Sequence, residues 1–260
     1  MDIQLTFAVP QGGLFAPLAA HAGSSHRIIT AASERECASL LLNHRVDAAL
    51  ISPLHYGLAA TKVDYRIVPA SCVFLDGYTD VGAIWFAPGL GEIRRCVSAS
   101  PDDFIVAAAR MLLAERYGLH PEIIPAGRDE LMRVFLREGC AVGYAGDIPA
   151  ASSLDISEDW LDSFEVHLPL AVWACRQDDD LPADLPDIIS SLAAEGLPDE
   201  TPVGEHFCDN PDHHHDGERE GIIRWRWNAG AVGALETTLD LLFYHQLVPV
   251  IPEAKFWKNG

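Results

Sequence analysis

The stretch RVDAALISPLHYG, residues 45–57, sets the pattern from which the fold follows. Ala48 to Ile51 is a short, continuous apolar run, which is typical of a strand buried on both faces. Ser52 can cap a helix, and Pro53 suits the first helical position. The stretch therefore predicts a buried strand that turns directly into a helix.

The alternation of strand and helix continues in both directions along the chain. The predicted strands are Ile3 to Val9, Tyr65 to Leu75, Val81 to Ala87, Glu122 to Ile124, Cys140 to Ala145 and Val166 to Cys175. Helices are predicted from the caps Ser33 and Ser100-Pro101-Asp102-Asp103, from Asp129, and in a terminal region from about Glu218 to His245. This alternation predicts an α/β fold with crossover helices.

Two successive βα series are followed by a return strand near residue 170 and by C-terminal helices. This order predicts two lobes: residues 1–87 and 176–260 form a discontinuous lobe 1, and residues 88–175 form lobe 2. Ligands of open parallel sheets bind beyond the carboxyl ends of the strands. Two such sheets that face one another predict a central ligand cleft.

The composition limits the class of partner. A hydrophobic fraction of 49% over 260 residues is ample for a buried core and excludes low-hydrophobicity disorder. The net charge of −20 argues against nucleic acid or a membrane surface as a partner, because neutralising phosphates needs a basic face. The acidity is local, since residues 151–220 hold 19 of the 38 acids and only two arginines. We expect this segment to form a solvated surface, and the rest of the chain to tolerate an anionic ligand.

The amino terminus and the cysteines bear on the compartment. MDIQLTFAVP has Asp2 where a signal peptide has basic residues, and no apolar run is long enough for a membrane span. We therefore expect a cytoplasmic protein, with a secreted form trimmed of its signal peptide as the alternative. Six widely spaced cysteines without a C-x-x-C pair predict buried free thiols. We expect that the protein uses no cofactor. We also expect it to be a monomer or a homodimer.

Three strand-to-helix corners present hydrogen-bond donors where a cleft would be. They are Gln11-Gly12-Gly13, Ser52-Pro53 and Ser100-Pro101. Helix amino termini carry unsatisfied N–H groups and a partial positive charge, which attract carboxylates and phosphates. A small anionic organic molecule is therefore the expected ligand. The alternative is that these serines only cap helices.

Candidate proton carriers follow two of the predicted strands. His55 and Tyr56 come after Ser52-Pro53, and Asp147 follows Gly146 at a strand end. The alternatives are that His55 is an ordinary packed histidine and that Asp147 caps a helix. The chain has no G-x-S-x-G, P-loop or H-E-x-x-H motif, which argues against the common hydrolases and kinases. No catalytic residue is assigned.

The segment Glu205 to Asp216 is rich in possible metal ligands. It contains His206, Cys208 and three consecutive histidines that end at His215. These residue types can ligate Zn, Ni or Cu, but their spacing matches no standard zinc finger. We favour a solvated loop that binds metal adventitiously and keep metal sensing or delivery as the alternative.

Four segments together resemble the MqnA/MqnD family of the futalosine route to menaquinone. They are RVDAALISPLHYG (45–57), SASPDDFIVAAARMLLAERYGLHPEIIPA (98–126), AVGYAGDIP (141–149) and LDISEDWLDSFEVHLPLAVWACR (154–176). They occur in the order in which the family has them. The resemblance implies the type 2 periplasmic-binding-protein fold.

Within that family, ERYGLHPE and LPLAVWACR look closer to the chorismate dehydratase branch. The resemblance implies a lyase that eliminates water from chorismate to give 3-[(1-carboxyvinyl)oxy]benzoate, without a metal or an organic cofactor. The corner donors would suit the two carboxylates of chorismate. The residues expected to bind the ligand are Gln11, Gly12, Ser52, Pro53, His55, Tyr56, Ser100, Phe104, Gly146 and Asp147.

Two corners differ from the family pattern. Leu14 stands where the S-Y-L-N-x-x-P corner has asparagine, with Gln11 as a displaced candidate for that role. Phe104 and Ile105 replace a Thr-Ser pair at the start of a helix. An apolar wall leaves fewer partners for a dianion. The alternative function is therefore a small-acid binding protein of the same fold, without catalysis or with altered specificity.

Overall fold

The computed structural model describes residues 4–21, 26–149, 153–177, 180–208 and 216–257, with the backbone alone for residues 206–208 and 216–217. Its strands are β1 (Thr6–Pro10), β2 (Arg27–Ala31), β3 (Ala48–Ile51), β4 (Tyr65–Gly77), β5 (Gly82–Phe86), β6 (Arg95–Ser98), β7 (Glu122–Pro125), β8 (Cys140–Tyr144), β9 (Ser153–Asp155), β10 (Leu168–Arg176), β11 (Glu200–Cys208) and β12 (Asp216–Arg226). Its helices are α1 (Glu34–Leu42), α2 (Pro53–Ala59), α3 (Phe104–Tyr117), α4 (Arg128–Glu138), α5 (Ile156–Phe164), α6 (Leu185–Ser191) and α7 (Ala231–Tyr244), with a short 3-10 helix at Ala16–Ala19. The predicted α/β class is confirmed.

The strands form two sheets. The larger has the order β11-β12-β4-β10-β3-β1-β2, and the smaller has the order β7-β6-β8-β5-β9. In the larger sheet β1 pairs in parallel with β2 and β3, and β10 pairs antiparallel with β3. In the smaller sheet β6 pairs in parallel with β7 and β8, and β5 is antiparallel to both β8 and β9.

The chain divides into two units. Unit 1 comprises Met1–Phe74, Pro169–Thr201 and Arg224–Gly260, and unit 2 comprises Leu75–Leu168 and Pro202–Ile223. The predicted lobe 1 comprises residues 1–87 and 176–260, and the predicted lobe 2 comprises residues 88–175. These bounds put both crossovers later in the chain than the structure does, and they assign residues 202–223 to lobe 1 and not to the unit that contains lobe 2. The difference arises because the chain passes from one unit to the other inside strands β4, β10, β11 and β12, not in loops.

Local signals account for several helix ends. Ser33 caps α1 as predicted, since its Oγ accepts a hydrogen bond from the Glu36 N–H at 3.1 Å. The Glu36 carboxylate reaches back to the Ala32 N–H at 2.6 Å. Gly118 ends α3 with φ at +64°, a left-handed conformation that glycine adopts readily.

The helix predicted from Ser100 begins later than expected. Its first residue is Phe104 and its N-cap is Asp103, so Pro101 lies outside the helix. The intervening residues form a turn, in which the Asp103 N–H donates to the Ser100 carbonyl at 3.0 Å. Ser100 therefore does not cap this helix.

The helical region predicted from Glu218 is wrong over its first part. Asp216–Arg226 is strand β12, and α7 begins only at Ala231. Arg224, Trp225 and Arg226 alternate with the period of a strand, and Trp225 is buried and donates its Nε1–H to Thr201 in β11 at 2.8 Å. The alternation typical of a strand therefore decides the structure of this segment, and the predicted helical pattern does not.

The acidic segment 151–220 is not uniformly solvated. Trp160 in α5 is fully buried and packs on Phe164, and Leu185 and Ile189 of α6 are buried as well. The expectation of a solvated surface segment is therefore corrected: its charges surround apolar faces that belong to the core.

Two further sequence predictions concern cysteines and the membrane. Cys37, Cys72, Cys96, Cys140 and Cys175 are free and buried, as predicted. The Cys208 side chain lies outside the described part of the structure. Within the described residues, no helix is both long and apolar enough to cross a bilayer.

Close backbone contact between the end of β4 and β12 depends on two glycines. The Tyr78 N–H donates to the Glu220 carbonyl at 3.0 Å. Gly77 has φ at +67°, and a Cβ at Gly221 would lie 2.0 Å from the Tyr78 carbonyl oxygen. Any side chain at Gly221 would therefore push these two segments apart.

We predict that Gly221→Ala destabilises the protein by about 2–4 kcal/mol, because the added methyl overlaps backbone atoms that cannot rotate away. The measurement is the urea midpoint. Gly233→Ala is the control, since Gly233 lies in α7 with no atom within 4 Å of an added Cβ. That change is expected to stabilise the helix by about 0.5–1 kcal/mol. Equal midpoints for the two variants would contradict the prediction.

Candidate functional site

The carboxyl ends of β1, β2 and β3 form a polar corner in unit 1. Because the three strands are parallel, their last residues lie at one edge of the sheet. Gln11 follows β1, and its N–H donates to the Ala31 carbonyl at the end of β2 at 2.7 Å. The Gly12 carbonyl accepts hydrogen bonds from the N–H groups of Phe15 and Ala16 at 3.2 and 3.1 Å. The structure thus places Gln11 and Gly12, both exposed, at the edge where Ser52 follows β3.

Ser52 belongs to a buried polar cluster that the sequence did not predict. Its Oγ lies 2.9 Å from His55 Nδ1, and the same nitrogen lies 3.7 Å from a Glu34 carboxylate oxygen. The exposed fractions are 1% for Ser52, 7% for His55 and 3% for Glu34. Pro53 occupies the first helical position as predicted, but the Ser52 hydroxyl does not cap α2.

The geometry of this cluster restricts its chemistry. A serine nucleophile with its base and orienting carboxylate uses both nitrogens of the imidazole, one for each partner. Here Ser52 and Glu34 approach the same nitrogen of His55. These contacts hold the Ser52 hydroxyl in place beside the imidazole.

Tyr56 makes contacts of a different kind. Its hydroxyl donates to the Glu253 carbonyl at 2.8 Å and accepts the Lys255 N–H at 3.1 Å. Burial raises the pKa of this phenol above its ordinary value. Tyr56 thus binds the segment 253–255 of its own chain, which gives its hydroxyl a structural role.

A second polar corner lies in unit 2, at the carboxyl ends of β6, β7 and β8. These neighbouring strands are parallel, so the loops that follow them share one edge of the smaller sheet. Ser98 ends β6 and is fully buried, and its Oγ accepts the Ser100 N–H at 3.1 Å. The turn continues from Ser100 to Asp103, the N-cap residue of α3.

Asp147 approaches the same edge from β8. One of its carboxylate oxygens accepts the Tyr144 N–H at 3.2 Å, and the other lies 3.7 Å from the guanidinium of Arg128, the first residue of α4. A Cβ at Gly143 would lie 2.6 Å from the Asp147 carboxylate, so glycine makes room for it. Gly146 has φ at +87° and is exposed in the turn that precedes Asp147.

Asp103 is the titratable group that this corner perturbs most clearly. Burial raises the pKa of its carboxyl from the ordinary value of 3.8 to about 6, and the charges of Asp102 and Asp147 add to the rise. A hydrogen bond with Ser100 and the Arg128 charge act in the opposite direction. The corner therefore contains a carboxyl group that is mostly protonated below about pH 6 and mostly ionised above it.

The apolar residues at the start of α3 lie in the core of unit 2. Phe104 and Ile105 are both 0% exposed, and Ile105 packs directly on Gly82 of β5. Phe104, which the sequence suggested as a ligand-binding residue, offers no exposed surface to a ligand in this structure. The polar groups of this corner come instead from the residues that precede and face the helix.

Metal binding has no support in the part of the chain that the structure describes. Those residues contain no group of three or more His, Cys, Asp or Glu side chains arranged to hold a metal ion. The loop suggested by the sequence, Asp209 to His215, lies outside them, as do the side chains of His206 and Cys208.

Comparison with solved structures establishes the fold. Protein AF1704 from Archaeoglobus fulgidus matches with a TM-score of 0.62 and 15% identity, over 94% of this chain and 98% of that one. The periplasmic aliphatic sulphonate binding protein SsuA from Escherichia coli matches with a TM-score of 0.58 and 12% identity, over 100% and 99%. An ABC transporter structure from Parabacteroides distasonis matches with a TM-score of 0.57 and 12% identity, over 99% of each chain.

Comparison by sequence gives a different result. No protein-family model and no curated protein matches the chain. The comparisons therefore do not show membership of the MqnA/MqnD family. They do confirm the fold that the resemblance implied, the two-lobed α/β fold of type 2 periplasmic binding proteins.

We predict that Asp103→Asn stabilises the protein at pH 8 by about 1–2 kcal/mol, after allowance for solvent screening of a half-buried group. Because the folded-state pKa is raised, the stability that Asp103 contributes is present below pH 3.8 and is lost as the pH rises through about 6. The asparagine carries no charge, so the difference in free energy of unfolding between this variant and the wild type should vanish near pH 4. Urea unfolding across this range measures the effect, with Asp240→Asn, an exposed change on α7, as control. A pH-independent difference would contradict the prediction.

Proposed function

We propose that this chain binds a small organic acid at the unit 2 corner formed by Ser100, Asp103, Arg128 and Asp147. The observation that carries the proposal is a carboxyl group, Asp103, with a pKa of about 6, set beside a guanidinium at the carboxyl ends of three parallel strands. Ligands of open α/β sheets bind at such ends. Perturbed acids in these places are candidates for function.

The charges of the corner favour an acid that binds together with a proton. When Asp103 is ionised, it and Asp147 repel an anion. Once protonated, Asp103 becomes a hydrogen-bond donor, and the exposed Arg128 can donate two N–H groups to a carboxylate in bidentate geometry. Protonation of Asp103 neutralises one negative charge at the corner, and the bound anion brings one negative charge back.

The structural neighbours add support of a general kind. SsuA is described as a binding protein for aliphatic sulphonates, which are organic anions.

The more specific proposal is that the acid is chorismate, from which the chain eliminates water to give 3-[(1-carboxyvinyl)oxy]benzoate. The sequence resemblance to chorismate dehydratases supports this reaction. Asp103 donates its proton to the departing hydroxyl as the C–O bond breaks, and Asp147 is the candidate base for the ring proton. Formation of the aromatic ring supplies much of the driving force.

A second function is binding without turnover. Specific observations favour it: Phe104 and Ile105 are fully buried where the resembled family has a Thr-Ser pair, and Leu14 replaces its asparagine. Under this proposal the corner still takes up an acid and a proton, and no bond is broken.

We predict that the purified chain converts chorismate to the substituted benzoate. Chromatography of the reaction mixture measures the product. Asp103→Asn should lower the rate about 100-fold, because the amide cannot donate a proton to the leaving hydroxyl. Glu130→Gln, an exposed change on α4, is the control and should retain the wild-type rate. No turnover, together with a thermal shift in the presence of chorismate, would overturn the lyase and favour the binding protein.

We also predict that the affinity for chorismate or benzoate falls as the pH rises through about 6, because the protonated Asp103 makes the hydrogen bond. Isothermal titration calorimetry at pH 5 and pH 8 measures the change. Asp103→Asn should keep the affinity and lose most of its pH dependence, since an amide also donates. Affinity that rises with pH would contradict an acidic ligand at this corner.

A further inference from the structure

Two cysteines of the smaller sheet lie side by side in its interior. Cys96 in β6 and Cys140 in β8 each precede the paired residues Val97 and Ala141. Equivalent positions on neighbouring parallel strands point to the same face of the sheet. Their Sγ atoms are 3.0 Å apart, and both residues are fully buried.

Two other buried thiols of the chain have different surroundings. The Cys37 thiol donates to the Leu50 carbonyl at 3.2 Å, and the Cys175 thiol lies 3.7 Å from the Arg66 carbonyl. Their polar contacts are with backbone oxygen, to which no sulfur bond can form. The contact between Cys96 and Cys140 brings two sulfurs together on neighbouring strands, and they need to approach by about 1 Å more to reach the length of a disulfide bond.

We infer that Cys96 and Cys140 form a redox-active pair, which closes to an intramolecular disulfide with a low-molecular-weight disulfide such as oxidised glutathione as the oxidant. One protein thiol loses its proton, attacks the oxidant and releases one glutathione thiolate. The second protein thiol then loses its proton, attacks the mixed disulfide and releases the other. Two electrons pass to the oxidant, and the two protons end on glutathione.

The surroundings of the pair determine when it reacts. Contact with Cys140 and burial raise the pKa of the Cys96 thiol, so the folded, reduced protein holds little thiolate. Exchange therefore takes place during folding or local opening of unit 2. Once the sheet has closed, the protein keeps the redox state in which it folded.

The disulfide would join the two strands whose ends build the unit 2 corner. β6 leads into Ser98 and Ser100, and β8 leads into Asp147. A covalent link here closes a loop of more than forty residues in the unfolded chain, and long loops give large stabilisation. The oxidised form should therefore unfold at a higher temperature, by about 5–10 °C.

The test is to unfold the reduced full chain in guanidinium and refold it in a buffer of oxidised and reduced glutathione. After quenching, thiols are counted in denaturant. We expect four of the six cysteines to react, a mass lower by about 2 Da, and a cross-linked peptide that contains Cys96 and Cys140. Six reactive thiols, or a link between other cysteines, would overturn the inference.

Matched variants complete the test. Cys72→Ala removes another buried thiol and should leave three reactive cysteines after oxidation, because the pair remains intact. Cys96→Ala and Cys140→Ala should each leave all five reactive and should lose the rise in unfolding temperature. Should an alanine variant fail to refold, the peptide map of the wild-type chain decides alone.

Discussion

The parallel pairing of β6 with β7 on one side and β8 on the other is the constraint on which the chemistry of unit 2 depends. Parallel strands end at the same edge, so the turns that carry Ser100 and Asp147 and the helix that begins at Arg128 meet there. The same register sets Cys96 beside Cys140 inside the sheet. One backbone arrangement thus produces both a polar corner and a pair of adjoining thiols.

The net charge of −20 does not prevent an acidic ligand from binding, because charge acts locally and can be neutralised by a proton. Acidic side chains of the segment 151–220 are partly neutralised within unit 2: Arg219 pairs with Glu158 and lies 4.3 Å from the centre of the Tyr78 ring. At the corner itself, burial and the neighbouring carboxylates keep a proton on Asp103 at mildly acidic pH. Below that pKa the corner holds one neutral carboxyl group, a potential hydrogen-bond donor, together with the exposed guanidinium of Arg128.

Sequence patterns predict the parts of this protein that local rules decide. β3 occupies the predicted residues Ala48–Ile51, and Gly118 ends α3, because strand burial and left-handed glycine are properties of short segments. The start of α3 was missed, since Ser100 and Asp103 both suit a cap and only the turn between them selects Asp103. Glu34 and Arg128 were not predicted because each reaches its partner across the fold, where sequence spacing carries no information.

The two corners share one pattern of strand, polar turn and helix, but burial gives them different chemical capacities. In unit 1 the polar side chains of Ser52, His55 and Glu34 are directed at one another and are almost fully enclosed, so they fix a hydroxyl in position. In unit 2 Asp103 is only half-buried, and Arg128 is exposed. A group must be shielded enough to shift its pKa and open enough to exchange a proton with a ligand. Of the two corners, the one in unit 2 therefore meets both conditions through Asp103, whereas the polar groups of the unit 1 corner satisfy one another.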